Sequence, residues 1–198
     1  MSTYSIENHR HRFAAWCAAS AASASPGCRF PAKAGFSLIE QSGLVEAATN
    51  WSSLPPPSSF DYEHRGWRDT LVRLAPSVVG HGPKRNFTHG VAAKLINCYL
   101  KPLFICGVPE NPNGSPTSLH DLFDAIHPPI DRLLLDKLSR GNVAGKGKFW
   151  RQHRDIGWSS FTSEQYEAVI SAVREATGGQ LWRIEEHWIG FQPVPQRA

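Results

Sequence analysis

The chain lacks any apolar run approaching the roughly 20 residues that a membrane-spanning helix requires, so no membrane partner is expected. Cysteine is scarce. Cys17, Cys28, Cys98 and Cys106 form no C-x-x-C pair and have no flanking histidines at zinc spacing, so neither a metal site nor a disulfide framework is expected. An iron–sulfur cluster would need four closely spaced cysteines, which the sequence does not have. The Gly-x-x-x-x-Gly-Lys-Ser/Thr loop of phosphoryl-transfer enzymes is missing, as is the nucleophile elbow of a serine or cysteine hydrolase. No cofactor is expected. Strand-type alternation and internal repeats are also lacking, so the fold class reads as mainly α.

Aromatic residues are plentiful, at 11% of the 198 residues, and the charged fraction is an ordinary 19%. Such a chain folds, and its length suits a single compact domain, expected as a monomer. Acidic residues are absent from Thr70 to Pro109, where Arg73, Lys84, Arg85, Lys94 and Lys101 lie, and again from Lys137 to Arg154. Asp121, Asp124, Asp131 and Asp136 fall between these two cationic windows. Phosphate contacts flanking a carboxylate suit an enzyme acting on nucleic acid, whereas scattered solvated charge is the bland alternative. The net charge of +4 agrees with an anionic partner.

Along the chain, residues 1–50 read as N-terminal helices, 51–61 as a proline-rich joint and 62–198 as the core. Met1 to Ser25 combines basic residues with an Ala/Ser run, but its sparse apolar content and the cap at Ser5 predict a structural helix over 5–22, with Ile6, Arg10, Phe13 and Cys17 at helical intervals. A cytoplasmic location is expected on that basis. Further helices are predicted over 36–49, 62–74 and 163–177, the last capped by Thr162 or Ser163 and ended by Gly178-Gly179. Residues 181–191 suit a short helix carrying Trp182 and Trp188, and 141–148 a Gly/Lys-rich loop.

Two segments carry candidate chemistry. In Asn86-Phe87-Thr88-His89-Gly90-Val91-Ala92-Ala93-Lys94, Thr88 can cap a helix on which Lys94 stands one turn in. In His127-Pro128-Pro129-Ile130-Asp131, paired prolines hold the backbone extended before a helix whose core face is Leu134, Leu135 and Leu138. Asp131 should then meet the unpaired N–H groups of a helix start, where a carboxylate is favoured. An acid placed there only for the helix dipole is the simpler reading.

Gly-Val-Ala-Ala-Lys, an apolar helix, a loop and then Pro-Ile-Asp at a new helix resemble the core of the helix-hairpin-helix DNA glycosylase superfamily, particularly its 8-oxoguanine-glycosylase-like branch. There a Gly-Val-Gly hairpin precedes one helix and an essential Asp opens a later one. The match covers roughly residues 86–140. Ala92 stands in place of the second hairpin glycine, and the interval from Lys94 to Asp131 is longer than usual, the excess being assigned to an inserted loop at 107–120. The Gly-x-Ala-x-Lys, Pro-Ile-Asp and Trp-Ser arrangement also resembles antiphage glycosylases that remove glucosylated hydroxymethylcytosine.

The resemblance implies a DNA glycosylase that flips a modified base and cleaves its N-glycosidic bond, in the setting of antiviral defence, with DNA as partner and a glycosylase-like core over 62–198. Asp131 would stabilise the oxocarbenium-like state and activate water. Lys94 would be a nucleophile in a bifunctional enzyme, but its cationic window equally suits phosphate contact, so a monofunctional enzyme is expected. Lys84, Arg85, His89, Gly90, Lys101, Arg132, Lys146, Lys148 and Arg151 are candidate DNA contacts. Asn97, Trp158, Trp150, Asn8 and His9 are candidates for the base pocket. A non-catalytic nucleic-acid-binding protein and a helical protein-interaction scaffold remain the alternatives on the sequence.

Overall fold

The computed structural model describes residues 4–104 and 118–188. Among them the chain is helical, with short 3-10 turns and one isolated antiparallel bridge between Cys28 and Arg85 but no strand, in agreement with the mainly α reading. Cys106 and most of the expected 107–120 insertion lie outside the described residues, as do 189–191 of the expected last helix.

Helix α1 (Ile6–Ala22) starts at Ser5, whose hydroxyl accepts from the Asn8 N–H. Its core face is a stripe of alanines. Ile6 and Phe13 are 71% and 54% exposed, while Ala14, Ala15, Ala18, Ala19 and Ala22 are buried. An alanine stripe lets two helix backbones approach closely, so the bulkier residues are left on the outer side. The helix expected at 36–49 is divided into α2 (Ala32–Gln41) and α3 (Leu44–Ala47) by Gly43, whose φ of 78° takes the left-handed conformation that a glycine adopts without penalty. Helix α4 (Pro57–Val78) begins earlier than expected, because Pro57 occupies the first helical position, where its missing N–H costs nothing. Part of the proline-rich joint is thus the entry to a helix.

Helix α5 (His89–Phe104) runs through the middle. Val91, Ala92, Leu95, Ile96, Tyr99 and Leu100 join the cluster formed with α1, α2 and α4. Ala93 instead belongs to a second cluster, built from α7 (Arg132–Arg140), α8 (Gly147–Ile156), α9 (Ser163–Thr177) and the 3-10 turn Leu181–His187. Helix α6 (Ser118–Ala125) precedes α7. Thr162 caps α9 in a reciprocal box with Gln165, and Gly178 ends it at a φ of 63°. A helix buried on all sides must bring its polar residues to partners, and this fixes where Lys94 and Asn97 point.

The start of α5 is sealed by the chain itself. The 3-10 turn Trp158–Ser160 lies across it, with the Gly90 N–H donating to Phe161 O at 3.2 Å and Thr88 Oγ1 donating to Ser159 O at 2.9 Å. A Cβ on Gly90 would stand 1.8 Å from the Trp158 carbonyl oxygen. We therefore expect Gly90→Ala to force the two segments apart and destabilise the fold by about 2 kcal/mol or more, read as a shift in the urea midpoint. A wild-type midpoint in that variant would mean that the contact is not made.

Candidate active site

Asp131 is the N-cap of α7: its backbone is extended, and Oδ1 accepts from the Leu134 N–H at 2.8 Å. That bond fixes the carboxylate so that Oδ2 faces α5. Lys94 Nζ lies 3.6 Å from Oδ2 and 3.4 Å from Ile130 O, and it stands 5.6 Å from the centre of the Trp158 ring. Trp188 Nε1 donates to the same Oδ2 at 3.1 Å. Lys94 is only 8% exposed, and a cation so far from water requires such partners.

The pair opens onto a cavity of about 510 Å³ between α1 and α5, within the size range of small-molecule sites. Cys17 and Ala21 of α1 and Ala24 just beyond its end form one wall. Lys94, Cys98, Lys101 and Pro102 of α5 form the other, closed by Pro129, Asp131, Glu185 and Trp188. Lys101 Nζ pairs with Glu185 Oε2 and lies 5.8 Å from the Trp188 ring centre. Two ion pairs thus face one apolar space. Burial pushes the Cys98 thiol above its usual value, which leaves it a weak nucleophile.

Behind the cavity lies a second set of buried polar groups. The Arg68 Nε–H donates to His64 Nδ1 at 3.2 Å, so the His64 proton is on Nε2 and donates to Asn97 Oδ1 at 2.9 Å. Asn97 Nδ2 then donates to Pro128 O at 2.9 Å and to Tyr166 Oη at 3.0 Å. The Tyr166 hydroxyl proton is left for His127 Nδ1, and His127 Nε2–H donates to Asp61 Oδ1 at 2.9 Å. Arg174 closes the chain on Asp61, while Arg68 also holds Glu167 and Ser163. Every proton in this series has one place to go, and both imidazoles are neutral.

The remaining candidates distribute as follows. Asn97 is a base-pocket candidate that the structure turns away from the cavity, because both amide groups are used inside the network. Trp150 is fully buried with Nε1 on Val143 O, so it is a core side chain rather than a stacking wall. Trp158 sits half-buried over Lys94. Asn8 and His9 are exposed at the wrong end of α1: Arg10 donates to Leu103 O and His11 bonds Tyr99 Oη, so α1 runs antiparallel to α5 and its other end meets Lys94.

Among the DNA candidates, Gly90 is covered by the 158–160 turn, and Lys101 is drawn to Glu185. Lys146 pairs with Glu175 at 2.8 Å, Arg85 donates back to Arg29 O, and His89 packs near Asp69. Lys84, Arg132, Lys148 and Arg151 are exposed. Lys94 itself faces the cavity rather than a phosphate-bearing surface, because its neighbours on α5 are buried.

Sequence reasoning missed Trp188, Glu185, Cys17, Ala21 and Ala24. Glu185 sits in a 3-10 turn and Trp188 just after it, their partners lie far away in the chain, and nothing local announces them. The spacing of Lys94, Cys98 and Lys101 on an otherwise apolar helix was a usable signal, since three non-aliphatic residues on one stripe of a core helix mark an opening in the core.

Burial lowers His64 and His127 from the ordinary imidazole value, His64 the more strongly. The unfolded chain therefore binds protons that the fold refuses, and stability rises with pH wherever this holds. We expect full stability above about pH 6.5 and progressive loss below it, with a slope approaching about 2.7 kcal/mol per pH unit once both unfolded imidazoles are charged. Below about pH 4 Asp61 adds to the loss, since the hydrogen bond from His127 holds its carboxyl low in the fold. Thermal melts between pH 7.5 and 5 measure this, and a flat profile would contradict neutral burial of the two rings. None of the family models, curated proteins or solved structures compared with this chain matches it.

Proposed function

We propose that this protein is a DNA glycosylase that draws a modified base out of the duplex into the cavity between α1 and α5 and hydrolyses its N-glycosidic bond. One observation carries the reading: Lys94 and Asp131, remote in sequence, meet at 3.6 Å on the wall of a largely apolar cavity of about 510 Å³. Base removal needs such a pocket to hold the flipped nucleotide and a fixed carboxylate beside the sugar. As the C1′–N bond breaks, its electron pair leaves with the base and positive charge grows on the sugar. Asp131 Oδ2 stabilises that charge and takes a proton from the water that adds to C1′. Lys94 Nζ faces the same space and supplies the proton that the departing base takes up. Exposed Arg132, Lys148 and Arg151 offer phosphate contacts on the α7 and α8 side. Removal of modified bases from phage DNA is the setting we propose, following the resemblance to antiphage glycosylases.

Asp131→Asn tests the chemistry without disturbing the helix start, because asparagine caps as well as aspartate. We expect base release, measured as alkali-labile sites on duplexes carrying different modified bases, to fall by a factor of about 100 to 1,000 or more while the melting temperature holds. Undiminished release in this variant would refute the mechanism.

The role of Lys94 is tested by adding borohydride during turnover. Hydrolysis by water leaves an intact abasic strand and no covalent adduct, and Lys94→Gln is expected to lower turnover far more than DNA affinity, because the amine lies in the cavity. An adduct that forms in wild type and disappears in Lys94→Gln would instead make Lys94 a nucleophile forming a Schiff base.

A further inference from the structure

The outer side of α1 carries aromatic rings that the fold leaves in water. Phe13 and Trp16 are each 54% exposed, and their ring centres lie 6.2 Å apart. One exposed apolar residue needs no explanation, but two adjoining rings on the solvent side of a helix make a patch. Polar and positive groups alternate with them. Arg12 stands one turn before Trp16 and His9 one turn before Phe13, all four exposed. Tyr4 holds this set in place: Arg12 lies 5.6 Å from its ring centre, and its hydroxyl bonds His9 Nδ1 at 2.9 Å. No acid interrupts the sequence from Asn8 to Ile39. Glu7, the one acid of the helix, lies on its other side, lining a space with Asn50 and Trp51. Just past the carboxyl end, Arg29 donates to Ser23 O at 3.2 Å and accepts from Arg85, beside the exposed Lys84.

We propose that this face binds an unpaired nucleic-acid strand, its bases stacking on Phe13 and Trp16 and its phosphates meeting Arg12 and, at the far end of the helix, Arg29 and Lys84. The site lies apart from the chemistry at Asp131 and does not depend on it. Rings alternating with cations match a polymer in which flat bases alternate with anions, and stacking tolerates any sequence because every base has a π-face. A duplex keeps those faces covered by neighbouring bases, so only an unpaired strand can offer them. From Arg12 to Ser23 the helix runs about 16.5 Å, which sets positive charge at both ends of the aromatic pair. Other occupants fit less well. A lipid surface suits an unbroken apolar band, whereas His9 and Arg10 separate Ile6 from Phe13. An antiparallel contact with a second copy, centred on Phe13, would bring two Arg12 side chains together with no acid of the helix to offset them.

Fluorescence anisotropy of labelled oligothymidylate and of a blunt duplex, each titrated with the whole chain, tests this. We expect Phe13→Ala and Trp16→Ala each to weaken single-strand binding about tenfold or more, with duplex binding and the melting temperature unchanged, because both rings lie on the solvent side. Phe13→Tyr and Trp16→Phe keep a ring and should bind as wild type does. Arg12→Met should lower the slope of log affinity against log salt on the single strand by about 0.7, the share of one phosphate contact. No single-strand binding, full binding without the rings, or an equal loss on the duplex would each overturn the proposal. Binding to anionic vesicles that disappears in Trp16→Ala while the oligonucleotide is ignored would give the face to lipid, and a dimer that the same variant dissolves would give it to a second copy. Base release is not measured in any of these arms, so the glycosylase reading stands or falls separately.

Discussion

The side-chain amide of Asn97 decides where Asp131 stands. It is 1% exposed in the middle of α5, and it donates to Pro128 O, three residues before the carboxylate. Two prolines then carry the chain stiffly to Asp131, so a bond to the first of them transmits position to the cap of α7. The amide oxygen meanwhile accepts from His64, and its second proton goes to Tyr166. Helices α4, α5 and α9 and the 127–131 segment meet at this one side chain. A buried amide must satisfy its donors and acceptor at once, so the arrangement has little freedom to slide.

The electrostatic pattern follows from that rigidity. The network ends at the surface on Asp61 with Arg174 and on Glu167 with Arg65, and the buried Arg68 guanidinium joins Glu167 to the neutral rings and amide of the interior. Among the described residues that line the cavity, the charged ones are Lys94 with Asp131 and Lys101 with Glu185. Carboxylates and amines poised in an apolar hollow are the usual mark of a functional site, and here both pairs stand within one helix length of each other.

Much of the fold was legible in the sequence. Helix starts at Ser5, Thr88, Asp131 and Thr162 follow from short polar side chains before apolar repeats, and Gly178 marks an end. Asp131 was identifiable because prolines and a leucine face enclose it locally. Lys94 was identifiable as a residue but not as a buried one, since its burial depends on α1 and the 158–160 turn closing over α5. The spacing of Ile6, Arg10, Phe13 and Cys17 marked α1 as a helix but left its core face unassigned: Ile6 and Phe13 are the larger apolar groups, yet the alanines pack because their small side chains let the backbones approach. Trp150 and Trp158 could not be ranked against Trp188, because an aromatic residue's role depends on which tertiary neighbours it meets.

The alanine stripe also explains why there is a cavity at all. Where α1 presents Ala14, Ala15, Ala18 and Ala19, the two helices close and the space is filled. Farther along, Cys17 and Ala21 of the same helix and Ala24 just beyond it line the cavity with small side chains, but there the opposing residues are Lys94, Cys98 and Lys101, and the two lysines are held by Asp131 and Glu185 at the far side. With their ammonium groups drawn to those carboxylates, the lysines point along the wall rather than into the gap. The hollow is thus bounded by small side chains on one side and by the two ion pairs on the other. Any substitution enlarging a side chain at Ala21 or Ala24 would narrow the cavity without touching Lys94 or Asp131.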